Sequence, residues 1–344
     1  MHPKAKFVAA SVSAAALLAA CGSSPAASTT TSTRASTTTT APPPTYALTG
    51  LPQVPGGPNP NRPPLMVKID NAPQAWPQSG IDHTDIVYEE QVEGGLTRYM
   101  VVFQSQNAAK VGPIRSVRAT DAALAAQTGG LLAYSGGIPT FVADVRATGV
   151  VDVGANLAGS AYYRDYSRPE PHNLYSSTAA LYKAAGGRGS TPHALFSYVR
   201  PGTSEPAALS KPAPAFSIAI SGAVTDTWTY NSANSDWTKS INGTQVTTTS
   251  GSPITATNVI IEYVNYVNTG FVDPAGNPVP EAQLVGSGTG EVAFGGRIAT
   301  AKWAKPSEAA VPTYTYSNGQ PVKVLPGRTW VIFAPIGATL SVQG

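Results

Sequence analysis

The sequence predicts an α+β fold, a mixed α/β N-terminal domain followed by a mainly antiparallel β C-terminal domain. Three observations predict it. Between about residues 46 and 200, short apolar runs alternate with Ala- and Leu-rich stretches of helical length. Pro201 to Pro214 is rich in Pro, Ala and Ser and reads as a linker. Beyond it no helical stretch recurs, and strand-like runs follow one another between turn residues.

The chain opens on a basic head, Met1-His2-Pro3-Lys4-Ala5-Lys6, without a carboxylate. An apolar run follows from Phe7 through Ala20 and ends at Leu18-Ala19-Ala20-Cys21. A basic head, a short apolar stretch and small residues before a cleavage point form a secretory signal. The run is shorter than the roughly 20 residues that span a bilayer. Leu-Ala-Ala-Cys has the form of a bacterial lipobox, and Cys21 is the single cysteine of the chain. That form implies cleavage before Cys21, diacylglycerol on its sulfur and a further acyl chain such as palmitate on the new amino terminus. An ordinary signal peptide that contains a cysteine is the alternative. Residues 1–20 are thus read as a lipoprotein signal peptide. Residues 21–45, nearly all Ser, Thr, Ala and Pro with Arg34 as the one charge, read as a disordered stalk. With Cys21 lipidated, no thiol remains for a disulfide, thiol catalysis or a thiolate metal site. About 300 further residues suffice to build a core without one.

Residues 46–205 form the expected first domain. Leu65 to Ile69 reads as a buried strand that stops at Asp70-Asn71-Ala72-Pro73. Asp85 to Glu90 and Thr97 to Phe103 read as a hairpin around Glu93-Gly94-Gly95. Helices are predicted over Thr120–Gln127, capped by Thr120 or Asp121, and over Thr140–Thr148. A third, Ser177–Ala185, is capped by Ser176 or Ser177 and ended by Gly186-Gly187. Leu131–Tyr134 and Val150–Val153 read as short strands. Residues 206–344 form the second domain. Strands are predicted there at Phe216–Ile220, Asp226–Tyr230, Asp236–Ile241, Asn258–Val267, Gly290–Phe294, Arg297–Trp303, Thr313–Tyr316, Pro321–Leu325 and Thr329–Phe333. Asn242-Gly243 and Asn318-Gly319 are the strongest hairpin turns.

Several stretches resemble the YerB-like bacterial lipoprotein family. They are Val67 to Pro73, Trp76 to Gly80, Asp85 to Glu89, Val92 to Arg98, Val111 to Arg118 and His172 to Tyr175. In the second half they are Ala256 to Ile261, Gly290 to Phe294 and Leu325 to Trp330. The resemblance covers roughly residues 46–344. It implies a two-domain exported lipoprotein, α/β then mostly β, and it implies no reaction. Ala72 stands where the family often has His, so no metal role is carried over to that position.

The polar residues of the first domain cluster in sequence: Asp70, Asn71, Asp85, Glu89, Glu93, Arg98, Arg115, Arg118, Asp121, His172 and Asn173. Alternation puts Arg98 on the face of Met100 and Val102, and Glu89 with Val87. Across the turn, Glu89 or Gln91 is expected to face Arg98 directly or diagonally. Such a pair either fixes strand register or faces a ligand. Arg115, Ser116 and Arg118 lie just before the Thr120 helix. Two guanidinium forks and a helix N-terminus can hold a phosphate, a carboxylate or a sugar acid. Internal pairing with Asp85, Glu89, Glu93 or Asp121 is the alternative. The stretch is not a phosphate loop. His172-Asn173 follows a stiff Pro-containing loop, and His172 is either a general base or a packed loop residue. His83, His172 and His193 lack metal-ligand spacing, so no metal and no cofactor is expected. Aromatics of the β half, such as Trp228, Trp237, Trp303 and Trp330, suit either a sugar-binding face or a core.

Loss of residues 1–20 removes Lys4 and Lys6 and lowers the formal charge from +3 to +1. Net charge therefore gives no argument for nucleic acid. The expectation is a lipoprotein anchored on the extracytoplasmic face of the cell membrane, binding an anionic or glycan envelope ligand. Arg98, Arg115, Ser116 and Arg118 would bind it, with Glu89, Asp70, Asn71, His172 and Asn173 around them. The expected partners are the membrane and a cell-wall polymer or envelope protein. The alternatives are an envelope hydrolase using Glu89 or Glu93 with His172, or an assembly protein with a membrane partner.

Overall fold

A computed structural model of the chain describes residues 44–200 and 209–344. The expected signal peptide, Cys21 with its expected lipid, all but the end of the expected stalk and residues 201–208 of the linker lie outside the described residues.

The first half contributes β1 (Leu65–Asp70), β2 (Ile86–Gln91), β3 (Thr97–Phe103), α1 (Asp121–Thr128), β4 (Leu131–Ala133), α2 (Pro139–Ala147), β5 (Val151–Asp152), β6 (Tyr163–Arg164), β7 (Leu174–Tyr175) and α3 (Thr178–Ala185). The second contributes β8 (Lys211–Pro212), β9 (Ala215–Ala219), β10 (Thr225–Asn231), β11 (Asp236–Ile241), β12 (Thr244–Gln245), β13 (Thr255–Ala256) and β14 (Asn258–Val264). It continues with β15 (Tyr266–Val272), β16 (Pro278–Ala282), β17 (Gly286–Phe294), β18 (Arg297–Lys305), β19 (Thr313–Tyr316), β20 (Thr329–Pro335) and β21 (Leu340–Gln343).

An eleven-stranded mixed sheet runs β19-β18-β17-β14-β20-β2-β3-β1-β4-β5, with β8 beside β18. A second sheet runs β12-β11-β10-β9-β21, with β13 on β11. Both faces of the large sheet are covered, which is why every residue of β1 and β3 is buried. One face packs on the second sheet through Val67, Tyr99, Val101 and Trp330 against Phe216, Trp228 and Trp237. The other carries Met66, Tyr88, Met100 and Val102 under α1 and α2.

The three predicted helices form. Ser177 caps α3 by accepting from Ala180 N, and Gly186 ends it in the left-handed region. The cap expected at Thr120 or Asp121 is not made by Thr120. Its hydroxyl accepts from Ala282 N instead, while Asp121 accepts from Arg118 N just outside the helix. Asn242-Gly243 turns β11 into β12 with both residues at positive φ.

The second half departs from the expected antiparallel pattern at β20, which pairs in parallel with β14 on one edge and β2 on the other. Strands of both halves thus share one sheet, and with three α-helices among the described residues the fold is richer in β than expected. The run Asn258–Val267 divides at Asn265, where β15 leaves the large sheet to pair with β16. Pro321–Leu325 makes only isolated bridges at Pro321 and Val324, since proline cannot complete a ladder. The predicted aromatics of the β half are core: Trp228, Trp237 and Trp330 are wholly buried.

Burial raises the carboxyl of Glu262 on β14 to about 7, although the Tyr314 hydroxyl donates to it at 2.6 Å. A carboxyl raised on folding keeps its proton where the unfolded chain has lost it. The folded state then binds more protons, so stability falls as pH rises. The stabilisation is complete below the unfolded value near 4.5 and is lost by about 7, a loss of about 3 kcal/mol for Glu262. Asp85 and Glu90 are raised as well and share the direction. Glu262→Gln is expected to flatten this part of the profile, read as urea midpoints at pH 4.5 and 7.5; an unchanged slope would refute it.

Candidate functional site

Register decides which polar side chains meet. Arg98 of β3 lies opposite Asp70 of β1 and Glu90 of β2, while Glu89 lies opposite Tyr99. Directly opposed residues share a face. Lys68, Asp70, Glu90, Arg98 and Met100 therefore project to the helical side, and Glu89 projects to the second sheet. Residues 92–96, with a single 3-10 turn at Glu93–Gly95, set this register. The Glu89–Arg98 or Gln91–Arg98 pair expected from alternation is not made, because a shift by one residue moves a side chain to the other face.

Backbone bonding then adds two loops. Pro113 O accepts from Asp70 N at 2.9 Å, and Arg115 N donates to Lys68 O at 2.9 Å. On the other edge Ile114 N donates to Leu174 O at 2.7 Å. Gly112 permits this approach, since a Cβ there would fall 2.8 Å from Leu174 O and 2.7 Å from the Tyr175 ring. The ladder carries His172 to the end of β1, where its Nδ1 lies 2.7 Å from Asp70 Oδ2. Arg115 Nε lies 3.1 Å from the same oxygen. Arg118 Nη2 donates to Glu93 Oε2 at 2.9 Å, and Arg118 Nε contacts Oε1.

These groups line a cavity of about 440 Å³ whose walls include Asp70, Glu93, Arg98, Arg115, Arg118, Glu170, His172 and Asp273. Its formal charge is not positive, and the distribution matters more than the sum. Asp70 and Glu93 are answered by Arg115 and Arg118. Glu170 turns to Arg164 at 3.4 Å, and Asp273 accepts from Ala275 N and Asn277 N in its own loop. Arg98 is left over. It is 7% exposed, its Nη1 donates to Ser116 O at 3.3 Å, and it has no carboxylate partner among the described residues. Burial, and then the charges of Arg118 and Arg115, lower it to about 10.

Of the candidates read from the sequence, Asp70, Glu93, Arg98, Arg115, Arg118 and His172 come together here. Glu89 does not. It is wholly buried on the other face, accepting from Thr97 Oγ1, Trp330 Nε1 and Lys239 Nζ. Asn71 donates to Thr97 Oγ1 and accepts from Trp76 Nε1 and Gln78 Nε2, so it holds a loop. Asn173 accepts from Arg164, and Ser116 offers its carbonyl to Arg98; neither lines the cavity. Nor does the N-terminus of α1, whose Asp121 is taken by Lys68 and Arg118 N. Asp85 binds Gln104 N and Ser105 N. Sequence reasoning missed Asp273, which arrives from the β15–β16 turn without any local signal. It also passed over Lys68, although a lysine inside the apolar run Leu65–Ile69 was visible.

The fold and its two halves place the chain in a family. It matches the N-terminal domain described as "Protein of unknown function (DUF3048)" over residues 48–191, and the corresponding C-terminal domain over residues 216–331. The chain belongs to this two-domain family, and the resemblance to YerB-like lipoproteins is borne out. YerB of Bacillus subtilis (strain 168), named as a candidate lipoprotein, is 28% identical over 290 residues, 80% of this chain and 82% of YerB. The crystal structure of the Bacillus subtilis YerB protein shares the fold with a TM-score of 0.71. It is 24% identical, and the match covers 86% of this chain and 99% of that one.

A buried cation without a partner costs stability. Arg98→Met is therefore expected to leave stability unchanged or raise it by up to about 1–2 kcal/mol, read from urea unfolding. A fall of that size would mean that Arg98 holds the fold.

Proposed function

We propose that the cavity at the end of β1 binds a compact anionic group, a phosphate or carboxylate, of a cell-envelope component. The proposed setting is a lipid-anchored protein on the extracytoplasmic face of the membrane. This setting rests on the lipobox at Cys21 and the similarity to a candidate lipoprotein. The observation that carries the site is Arg98, a nearly buried guanidinium that lines the cavity and makes no ion pair among the described residues. Arg115 and Arg118, pinned by Asp70 and Glu93, add direction and charge without moving. A planar fork set in advance loses little freedom on meeting an anion.

The geometry argues against a hydrolase built on Glu89 or Glu93, because the first faces the other side of the sheet and the second is held by Arg118. The contact of His172 with Asp70 supports a second reading, in which an oriented imidazole acts as general base.

The test is calorimetry of the purified protein with inorganic phosphate and with anionic envelope polymers. Wild type is expected to bind, more weakly as salt rises. Folded Arg98→Met is expected to lose about 10- to 100-fold, the value of a charge-assisted bond. Equal binding by the variant, or none by wild type, would overturn the site. Turnover of a bound polymer that stops in His172→Ala would favour the second reading.

A further inference from the structure

The opposite face of the sheet holds a second polar cluster, which anion binding does not use. Lys239 of β11, Asp226 of β10 and Glu89 of β2 are each wholly buried. Lys239 and Asp226 stand on neighbouring strands of the second sheet, and Glu89 comes from the large sheet facing them. Lys239 Nζ contacts an Asp226 carboxyl oxygen and lies 2.8 Å from Glu89 Oε2. Aromatic rings wall the site. The ammonium lies 4.8 Å from the Trp330 ring, 5.1 Å from Trp228 and 5.9 Å from Tyr99.

We propose that Lys239 and Asp226 are joined by an intramolecular amide between Nζ and Cγ, formed by the folded protein itself with Glu89 as proton carrier. One cation cannot neutralise two carboxylates in an apolar box, so one of the carboxyls holds a proton. Asp226 is the one less supported, since its Oδ1 has no hydrogen-bond partner. Glu89 is better held, by Thr97 Oγ1 at 2.8 Å and Trp330 Nε1 at 2.9 Å. The cluster thus begins as ammonium, Glu89 carboxylate and Asp226 carboxylic acid.

Glu89 takes one proton from Lys239, leaving a neutral amine against a neutral acid. Burial already lowers Lys239 to about 8. Nζ attacks Cγ and forms the C–N bond. Glu89 gives its proton to the departing hydroxyl and takes the second proton from nitrogen, and the C–O bond breaks. The products are the amide, one water and neutral Glu89, so atoms and charge balance without a co-reactant. Contact in a fixed geometry supplies the effective concentration that amide formation lacks in water. Two buried charges are removed from the core. Lys68 also meets two acids, Glu90 and Asp121, but no ring lies over its ammonium among the described residues.

The test is peptide mapping of the purified, denatured full chain by mass spectrometry. Chymotrypsin cuts at Trp228, Tyr230 and Trp237, between the two residues. The expected product is a branched peptide, lighter by one water than the sum of its arms, and trypsin fails to cut after Lys239. Linear peptides with cleavage after Lys239 would overturn the bond. Glu89→Gln, checked for native circular dichroism, is expected to give linear peptides; a branched peptide there would remove Glu89 from the mechanism. If that variant does not fold, the wild-type digest still decides the bond, with Asp226→Ala as the unlinked reference.

Discussion

Strand β20 is hydrogen-bonded along both edges to parallel partners from opposite halves of the chain, and the rest of the structure depends on that double pairing. It sets Glu89 beside Ile332 and Glu262 beside Phe333, so neither half completes the large sheet alone. Trp330 stands at its centre, edge-on to Tyr99 at 5.0 Å and to Trp228 at 5.3 Å. Just before it, the Arg328 guanidinium donates to the carbonyls of Asp82, Thr84 and Thr255, tying loops of both halves to the start of the strand. Parallel contacts between distant segments carry a high loop-closure entropy, and aromatic burial on both faces offsets it.

Once β2 and β3 are fixed beside β20, their register sorts the buried charges onto two faces. Odd and even positions of Ile86–Gln91 go to different surroundings, so the neighbours Glu89 and Glu90 never meet the same partner. Glu90 contacts Lys68 beneath α1, while Glu89 reaches Lys239 of the second sheet. A cluster that is contiguous in sequence becomes two sites separated by the thickness of the sheet.

That separation marks the limit of what the sequence shows. The strands Leu65–Asp70 and Thr97–Phe103, the caps Ser177 and Gly186, and the Asn242-Gly243 turn were legible because each rests on local chemistry. So was the gathering of Arg98, Arg115, Arg118 and His172, because their segments adjoin one strand end. The parallel place of β20 was not legible, since Thr329–Phe333 reads alike in either orientation. The face of Glu89 relative to Arg98 hung on how a five-residue loop closes. Lys239 alternates inward with Trp237 and Ile241, a signal present in the sequence whose meaning appears only with Glu89 opposite.

The buried cations show how a core of this kind tolerates charge. Lys305 donates to the carbonyls of Glu308 and Ala310, and Arg328 to three more. Lys68 meets the carboxyl groups of Glu90 and Asp121. In all of these the compensation comes from inside the protein, as low dielectric demands. Arg98 differs. Arg118 and Arg115 repel it, Glu93 and Asp70 attract it more weakly, and among the described residues its hydrogen bond is a long one to Ser116 O. Glu93 and Asp70 offset its cost only in part, beside a cavity that Arg98 lines, and the proposed anion would supply the direct partner that this charge lacks.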